Sequence, residues 1–137
     1  MKDTANAGGP TIGNACYVFA YGTLREVDRL QALIGAVSGW RVAGEGSVQG
    51  RLYDAGEYPA VVPSDDARDR VAGILIELDD PGPALKRLDT YEGVDAGLYR
   101  RELVAVERSG GTVVDAWVYV YRRSVQGLPR IARWPSR

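Results

Sequence analysis

The sequence predicts an α+β fold, a small, mixed but mostly antiparallel β-barrel flanked by a few helices. Three observations carry this expectation. Segments with strand character outnumber helical ones, five or six against two, and turn signals separate them. The last two strong strand segments, "YRRELVAVER" and "TVVDAWVYVYRR", meet at "SGG", which is hairpin chemistry. The chain has 137 residues and is 45% hydrophobic, enough for one domain around one core.

The elements follow in order. Residues 1–14, beginning "MKDTANAGGP", have no apolar signal-peptide core and read as a flexible leader to a single domain spanning residues 15–137. Cys16 to Tyr21 is continuously apolar or aromatic, as a strand buried on both faces would be. Gly22 breaks it, and Thr23 stands three residues before Glu26, the spacing of a capping box opening a helix. Val27, Leu30, Leu33 and Ile34 would be the apolar face of that helix. "WRVAGEGSVQGRLYD" reads as one long, bent strand, "YPAVVP" as a short one, and "RVAGILIELD" as a third, with Ile74, Ile76 and Leu78 on one face. In "DDPGPALKRLDTYEG", Asp80 is the expected N-cap and Pro81 suits the first turn. Leu85, Leu88 and Tyr91 form a stripe at helical spacing, and Gly93 is the stop signal. After the hairpin, Ile131 and Trp134 in the tail are expected to dock on the body.

Composition removes most routes to chemistry. The 17 basic and 18 acidic residues leave a net charge of −1, which gives no electrostatic reason to expect nucleic acid or an anionic membrane. No apolar run reaches the ~20 residues that a membrane span needs. A single cysteine, Cys16, rules out an internal disulfide and makes a reducing cytoplasm the expected location. The chain has no histidine, which excludes Ser-His-Asp and Cys-His arrangements and the usual zinc sites. Cys16 sits in an apolar run and reads as a buried small hydrophobe. Lysine occurs only at Lys2 and Lys86. Acid/base chemistry therefore falls to carboxylates and tyrosines.

Two stretches qualify. In "YGTL", Tyr21 to Leu24, either Thr23 caps a helix and nothing more, or the turn points free backbone N–H groups at a ligand carboxylate. In "YEG", Glu92 is either a solvated residue in the last helical turn or an acid/base. An acidic side chain at a helix C-terminus is disfavoured by roughly 0.3–1 kcal/mol, while aromatic neighbours would raise its pKa by desolvation, as proton shuttling requires. Other carboxylates rank lower: Asp65, Asp66 and Asp69 lie in a charged loop, and Asp79 and Asp80 look like caps.

Taken together, "VFAYGTLR" (Val18 to Arg25), "GRLYDAGEYPAVVP" (Gly50 to Pro63) and "LDTYEGVDAGLYRRELVAV" (Leu88 to Val106) resemble the gamma-glutamylcyclotransferase-like superfamily, and its gamma-glutamylamine cyclotransferase branch most. The resemblance spans roughly residues 17 to 121 and rests on "YGTL" combined with a later "LDxYEG" and a tyrosine seven residues past the glutamate. It departs at "REVDRLQAL", which lacks a glycine and an asparagine found in many relatives, and at "ARW", which stands for their "GDW".

The resemblance implies a barrel with a cavity at one mouth. It implies that Tyr21, Gly22, Thr23 and Leu24 hold the α-carboxylate of a gamma-glutamyl group, that Glu92 is the catalytic acid/base, and that Tyr58, Pro59 and Tyr99 contact substrate. The implied reaction is intramolecular aminolysis of a small gamma-glutamyl amide, giving 5-oxoproline and a free amine, with no metal or cofactor. The alternative is a non-catalytic member of the fold that binds a small acid or acts through protein contacts. A third reading is another reaction on the same scaffold. Oligomeric state is left open.

Overall fold

The computed structural model describes residues 15–134, so the expected leader at 1–14 lies outside the described residues. Strand β1 (Cys16–Ala20) runs into a single 3-10 turn (Thr23–Arg25) and helix α1 (Val27–Ile34). Strands β2 (Trp40–Asp54), β3 (Pro59–Pro63) and β4 (Arg70–Leu78) come next, then helix α2 (Pro81–Tyr91). Strands β5 (Tyr99–Arg108), β6 (Val113–Tyr121) and β7 (Arg130–Ile131) complete the order. The barrel is a ring of five strands, β2-β4-β1-β6-β5, closed where β2 returns to β5 at Gly46–Arg108 and Ser47–Glu107. Only β1 and β6 are parallel in this ring. The fold is therefore a closed, mixed, mostly antiparallel barrel with two α-helices, as the strand and helix pattern predicts.

The length of β2 lets one strand do two jobs. Its first part pairs with β4, with a bulge between Val42 and Gly44. Its last residues, Gly50 to Asp54, leave the ring and pair with β3, while Leu52 and Tyr53 also meet β7. Alternation on the strands then builds two cores. Phe19, Val71, Leu75, Val106, Val118 and Val120 fill the barrel. Val18, Ala20, Ile76 and Leu78 point outward and are covered by Leu30 and Ile34 of α1 and Leu85 and Leu88 of α2. Strand β1 is thus buried on both faces, which is why it carries an unbroken apolar run. The tail docks through Trp134, 7% exposed, in the barrel core. No helix among the described residues is long and apolar enough to cross a membrane.

Three local expectations are corrected. Thr23 and Glu26 form no capping box: neither end of the 3-10 turn nor the start of α1 has a side-chain cap. The chain first completes the tight turn, and α1 begins at Val27 after an extended Glu26 (φ −83°, ψ 121°). With the helix starting there, Val27 is 56% exposed and does not join the apolar face. Asp80 also makes no side-chain cap. Its backbone N–H instead donates to Ser38 Oγ at 2.9 Å, which ties the start of α2 to the end of the α1 segment.

Candidate active site

Helix α2 delivers Glu92. The helix ends at Tyr91, and Glu92 is its C-cap, with its N–H donating to the Leu88 carbonyl at 2.9 Å. Gly93 follows at φ +67°, a left-handed conformation that glycine adopts without steric cost, and the chain reverses toward β5. The reversal turns the Glu92 side chain to the mouth of the barrel. There it shares a cleft with the end of β1 (Phe19, Ala20), the segment Tyr21 to Leu24, Pro59, Tyr99 and Tyr119. The cleft is small, with a cavity volume of about 20 Å³.

The segment after β1 is shaped by its neighbours. Gly22 lies so close to β3 that an added Cβ would stand 2.7 Å from Pro59 Cγ, so the turn and the "YPA" stretch form one wall. The bonds closing the 3-10 turn run from the N–H groups of Arg25 and Glu26 to the carbonyls of Gly22 and Thr23. That leaves the N–H groups of Thr23 and Leu24 without partners inside the turn. The Thr23 hydroxyl, which is no cap, lies 2.8 Å from the Tyr91 hydroxyl and joins the turn to the end of α2. The Arg29 guanidinium sits 5.8 Å from the centre of the Tyr91 ring on the outer side.

The electrostatics single out one group. Burial pushes the Glu92 carboxyl up from 4.5 to about 7. No hydrogen bond or ion pair from the described residues reaches that carboxylate, so nothing offsets the desolvation. Three residues earlier the situation reverses: Asp89 receives both Arg101 Nε at 2.7 Å and an Arg101 terminal nitrogen at 3.2 Å, plus the Tyr119 hydroxyl at 2.8 Å. Burial, and then the charge of Glu92, raise the Tyr99 phenol far above its usual range. Tyr21 is raised by burial first, then by Tyr99 and Glu92. Both phenols stay protonated. Tyr99 donates to the Pro59 carbonyl and Tyr21 to the Tyr119 carbonyl.

Of the eight residues singled out in the sequence, Tyr21, Gly22, Thr23, Leu24, Pro59, Glu92 and Tyr99 line this cleft. Tyr58 does not line it, and is 41% exposed. Sequence reasoning missed Tyr119, which lines the cleft and braces Asp89. The alternation of "WVYVY" marks Tyr119 as facing away from Val118 and Val120, but nothing local to it indicates Asp89 as its partner. No three metal-ligating side chains come together among the described residues.

Known proteins resemble this chain in sequence and in fold. The profile of the family described as "Gamma-glutamyl cyclotransferase, AIG2-like" matches residues 18–135. The gamma-glutamylcyclotransferase family protein ytfP of Citrobacter rodentium is 31% identical over 123 residues, covering 88% of this chain and 96% of that protein. Its Escherichia coli K12 counterpart is 30% identical over 115 residues, covering 83% and 89%. Among solved structures, a mouse aig2-like protein superposes with a TM-score of 0.71 at 23% identity over 88% of both chains. The solution structure of ytfP from Escherichia coli superposes with a TM-score of 0.61 at 30% identity, covering 87% of this chain and 96% of that one. The match over most of the length, in sequence and in fold alike, means that the chain belongs to the gamma-glutamyl cyclotransferase, AIG2-like family.

Proposed function

We propose that the protein is a gamma-glutamyl cyclotransferase that converts a small gamma-glutamyl amide, in the manner of a gamma-glutamylamine, to 5-oxoproline and a free amine. The observation that carries this reading is a half-buried, unpaired carboxylate with a pKa of about 7 in the same cleft as the Tyr21–Leu24 segment. The partner is a small-molecule substrate whose α-carboxylate sits at the N–H groups of Thr23 and Leu24.

The substrate supplies its own nucleophile. Glu92 takes a proton from the α-ammonium, and the freed amine attacks the gamma-carbonyl carbon. The new C–N bond closes a five-membered ring, the old amide C–N bond breaks, Glu92 returns its proton to the departing nitrogen, and the second proton shed by the ring nitrogen leaves with the amine as an ammonium. A pKa near neutrality suits both transfers, since the group must accept and donate in one cycle. The remaining task is to hold the flexible chain folded on itself, and fixing attack geometry contributes several kcal/mol to such reactions, about 7–11 at best. Glu92, the turn and the cleft walls meet both needs with this chain's residues.

The test is mass-spectrometric detection of 5-oxoproline after incubation with a panel of gamma-glutamyl amines and peptides. Wild type is expected to form product from at least one member. Glu92→Gln, which keeps the shape and loses the proton-accepting oxygen, is expected to lose turnover by at least ~100-fold while remaining folded. Near-normal turnover in that variant would remove Glu92 from the role. Binding by thermal shift with no product from any panel member would assign the protein to the non-catalytic reading.

A further inference from the structure

The cleft at Glu92 has a volume of only about 20 Å³, so whatever an amide carries beyond its reacting atoms has to lie outside the rim. Two larger depressions adjoin it. One, of about 470 Å³, includes Arg25, whose Nε donates to the Gly22 carbonyl at 3.0 Å. It mixes Arg108 and Arg133 with Glu45 and Glu107 and presents no single sign of charge. The other, of about 560 Å³, lies between the two helices and ends at Tyr91, whose hydroxyl stands 2.8 Å from Thr23 Oγ on the cleft wall. Ala32 and Leu33 of α1 and Pro83 of α2 give this groove apolar surface. Lys86 and Arg87 are its charged groups, and no carboxylate lines it. The fold makes little use of either cation. The Lys86 ammonium has no hydrogen bond or ion pair with the described residues, and Arg87 reaches only the Leu33 carbonyl, at 3.5 Å. Pro83, Arg87 and Tyr91 recur every four residues, so the groove follows one row of α2 down to the residue before Glu92.

We propose that this interhelical groove is the subsite for the leaving amine, and that it selects an amine with an apolar stem and an anionic end, an ω-amino acid. This rests on the gamma-glutamyl reading above. The stem lies over Tyr91, Leu33 and Ala32, and the terminal carboxylate meets Lys86 and Arg87. Reach decides between kinds of acid. Lys86 stands five residues before Tyr91, which is about 7.5 Å along a helix. An α-amino acid carries its carboxylate beside the scissile nitrogen and falls short of both cations, whereas several methylenes span the gap. A diamine is repelled by the same two groups.

Three gamma-glutamyl amides of one chain length test this, made from ε-aminocaproate, hexylamine and hexamethylenediamine, which end in a carboxylate, a methyl and an ammonium. Their kcat/KM for 5-oxoproline formation would be compared on wild type, Lys86→Gln, Arg87→Gln and the double variant. Calorimetric binding of the same amides to Glu92→Gln, with and without the groove substitutions, gives a readout that needs no turnover. Wild type is expected to prefer the aminocaproate amide over the hexylamine amide by about fivefold, the scale of exposed ion pairs, and to disfavour the diamine amide. The preference is expected to shrink near 1 M salt, where the Debye length is ~3 Å. Each single variant is expected to lower it and the double variant to bring it to about one. Lys86→Gln carries the test if Arg87→Gln does not fold. Product from all three amides at equal kcat/KM overturns the groove and keeps the reaction. A preference that survives the double variant also overturns the groove. Binding with the expected preference, lost in the double variant, but no product from any amide keeps the groove and removes the reaction. Neither binding nor product overturns both.

Discussion

Glu92 and Asp89 stand less than one helical turn apart and meet opposite environments. Asp89 is neutralised by Arg101 and hydrogen-bonded by Tyr119, whereas Glu92 is desolvated without compensation. Two pH dependences follow from a carboxyl raised from 4.5 to about 7. If the ionised form is the base, kcat/KM for a gamma-glutamyl amide falls on the acid side with a midpoint near 7, because that parameter reports free-enzyme ionisations. A pH–rate profile on wild type measures it. Stability moves the other way. The folded pKa lies above the unfolded one, so folding favours the protonated form. The associated stability is complete below 4.5, declines as pH rises toward 7 and is absent above it. At roughly 1.4 kcal/mol per pKa unit the effect amounts to a few kcal/mol at most. Glu92→Gln removes it, so the variant is expected to gain stability relative to wild type as pH rises from 5 to 8, read from urea midpoints at each pH. The elimination of histidine and lysine makes Glu92 legible as a candidate in the sequence. Its pKa is not legible there, because desolvation comes from segments as distant as Tyr21 and Tyr99.

At the scale of elements, the site depends on how the end of α2, the 3-10 turn and the start of β3 meet. The stop at Gly93 and the strand break at Gly22 are both readable from sequence, and each falls where expected. The misread capping box shows the limit of local spacing. Thr23 and Glu26 have the right separation, but the Thr23 hydroxyl meets Tyr91, 68 positions away, and the turn tightens to 3-10 before the helix starts. The bond from Tyr99 to the Pro59 carbonyl is the corresponding link between β5 and β3. Tyr99→Phe is expected to cost about 1–2 kcal/mol, the worth of a partly buried hydrogen bond whose acceptor is left behind. A urea or thermal unfolding midpoint checks it, and an unchanged midpoint would mean that this bond holds nothing.

Over the whole molecule, the tail closes what the strands begin. Strand β7 adds to β2, and Asp69, in the loop before β4, bridges Arg51 of β2 and Arg130 of β7. Bonds from Ser64 and these two arginines hold the Asp69 carboxyl well below the usual range. Beyond them Trp134 enters the barrel core with Phe19, Leu75 and Val118. Trp134→Ala is expected to destabilise by about 3–5 kcal/mol, the cost of emptying an aromatic site in a core. That is a large part of the ~5–15 kcal/mol that a domain holds in total. Denaturant unfolding measures it, and a loss under about 1 kcal/mol would mean that the tail packs loosely.

The sequence by itself determined the elements, the barrel class and the short list of groups able to do chemistry. Those follow from local physics: apolar periodicity, glycine and proline punctuation, and the absence of histidine. The tertiary structure alone decided which groups share a cleft, that Tyr58 stays outside it while Tyr119 enters, and that Glu92 goes unpaired where Asp89 does not. Burial and hydrogen-bond partnership are properties of chain segments brought together by folding, here the end of β1, the start of β3, the end of α2, the start of β5 and Tyr119 of β6.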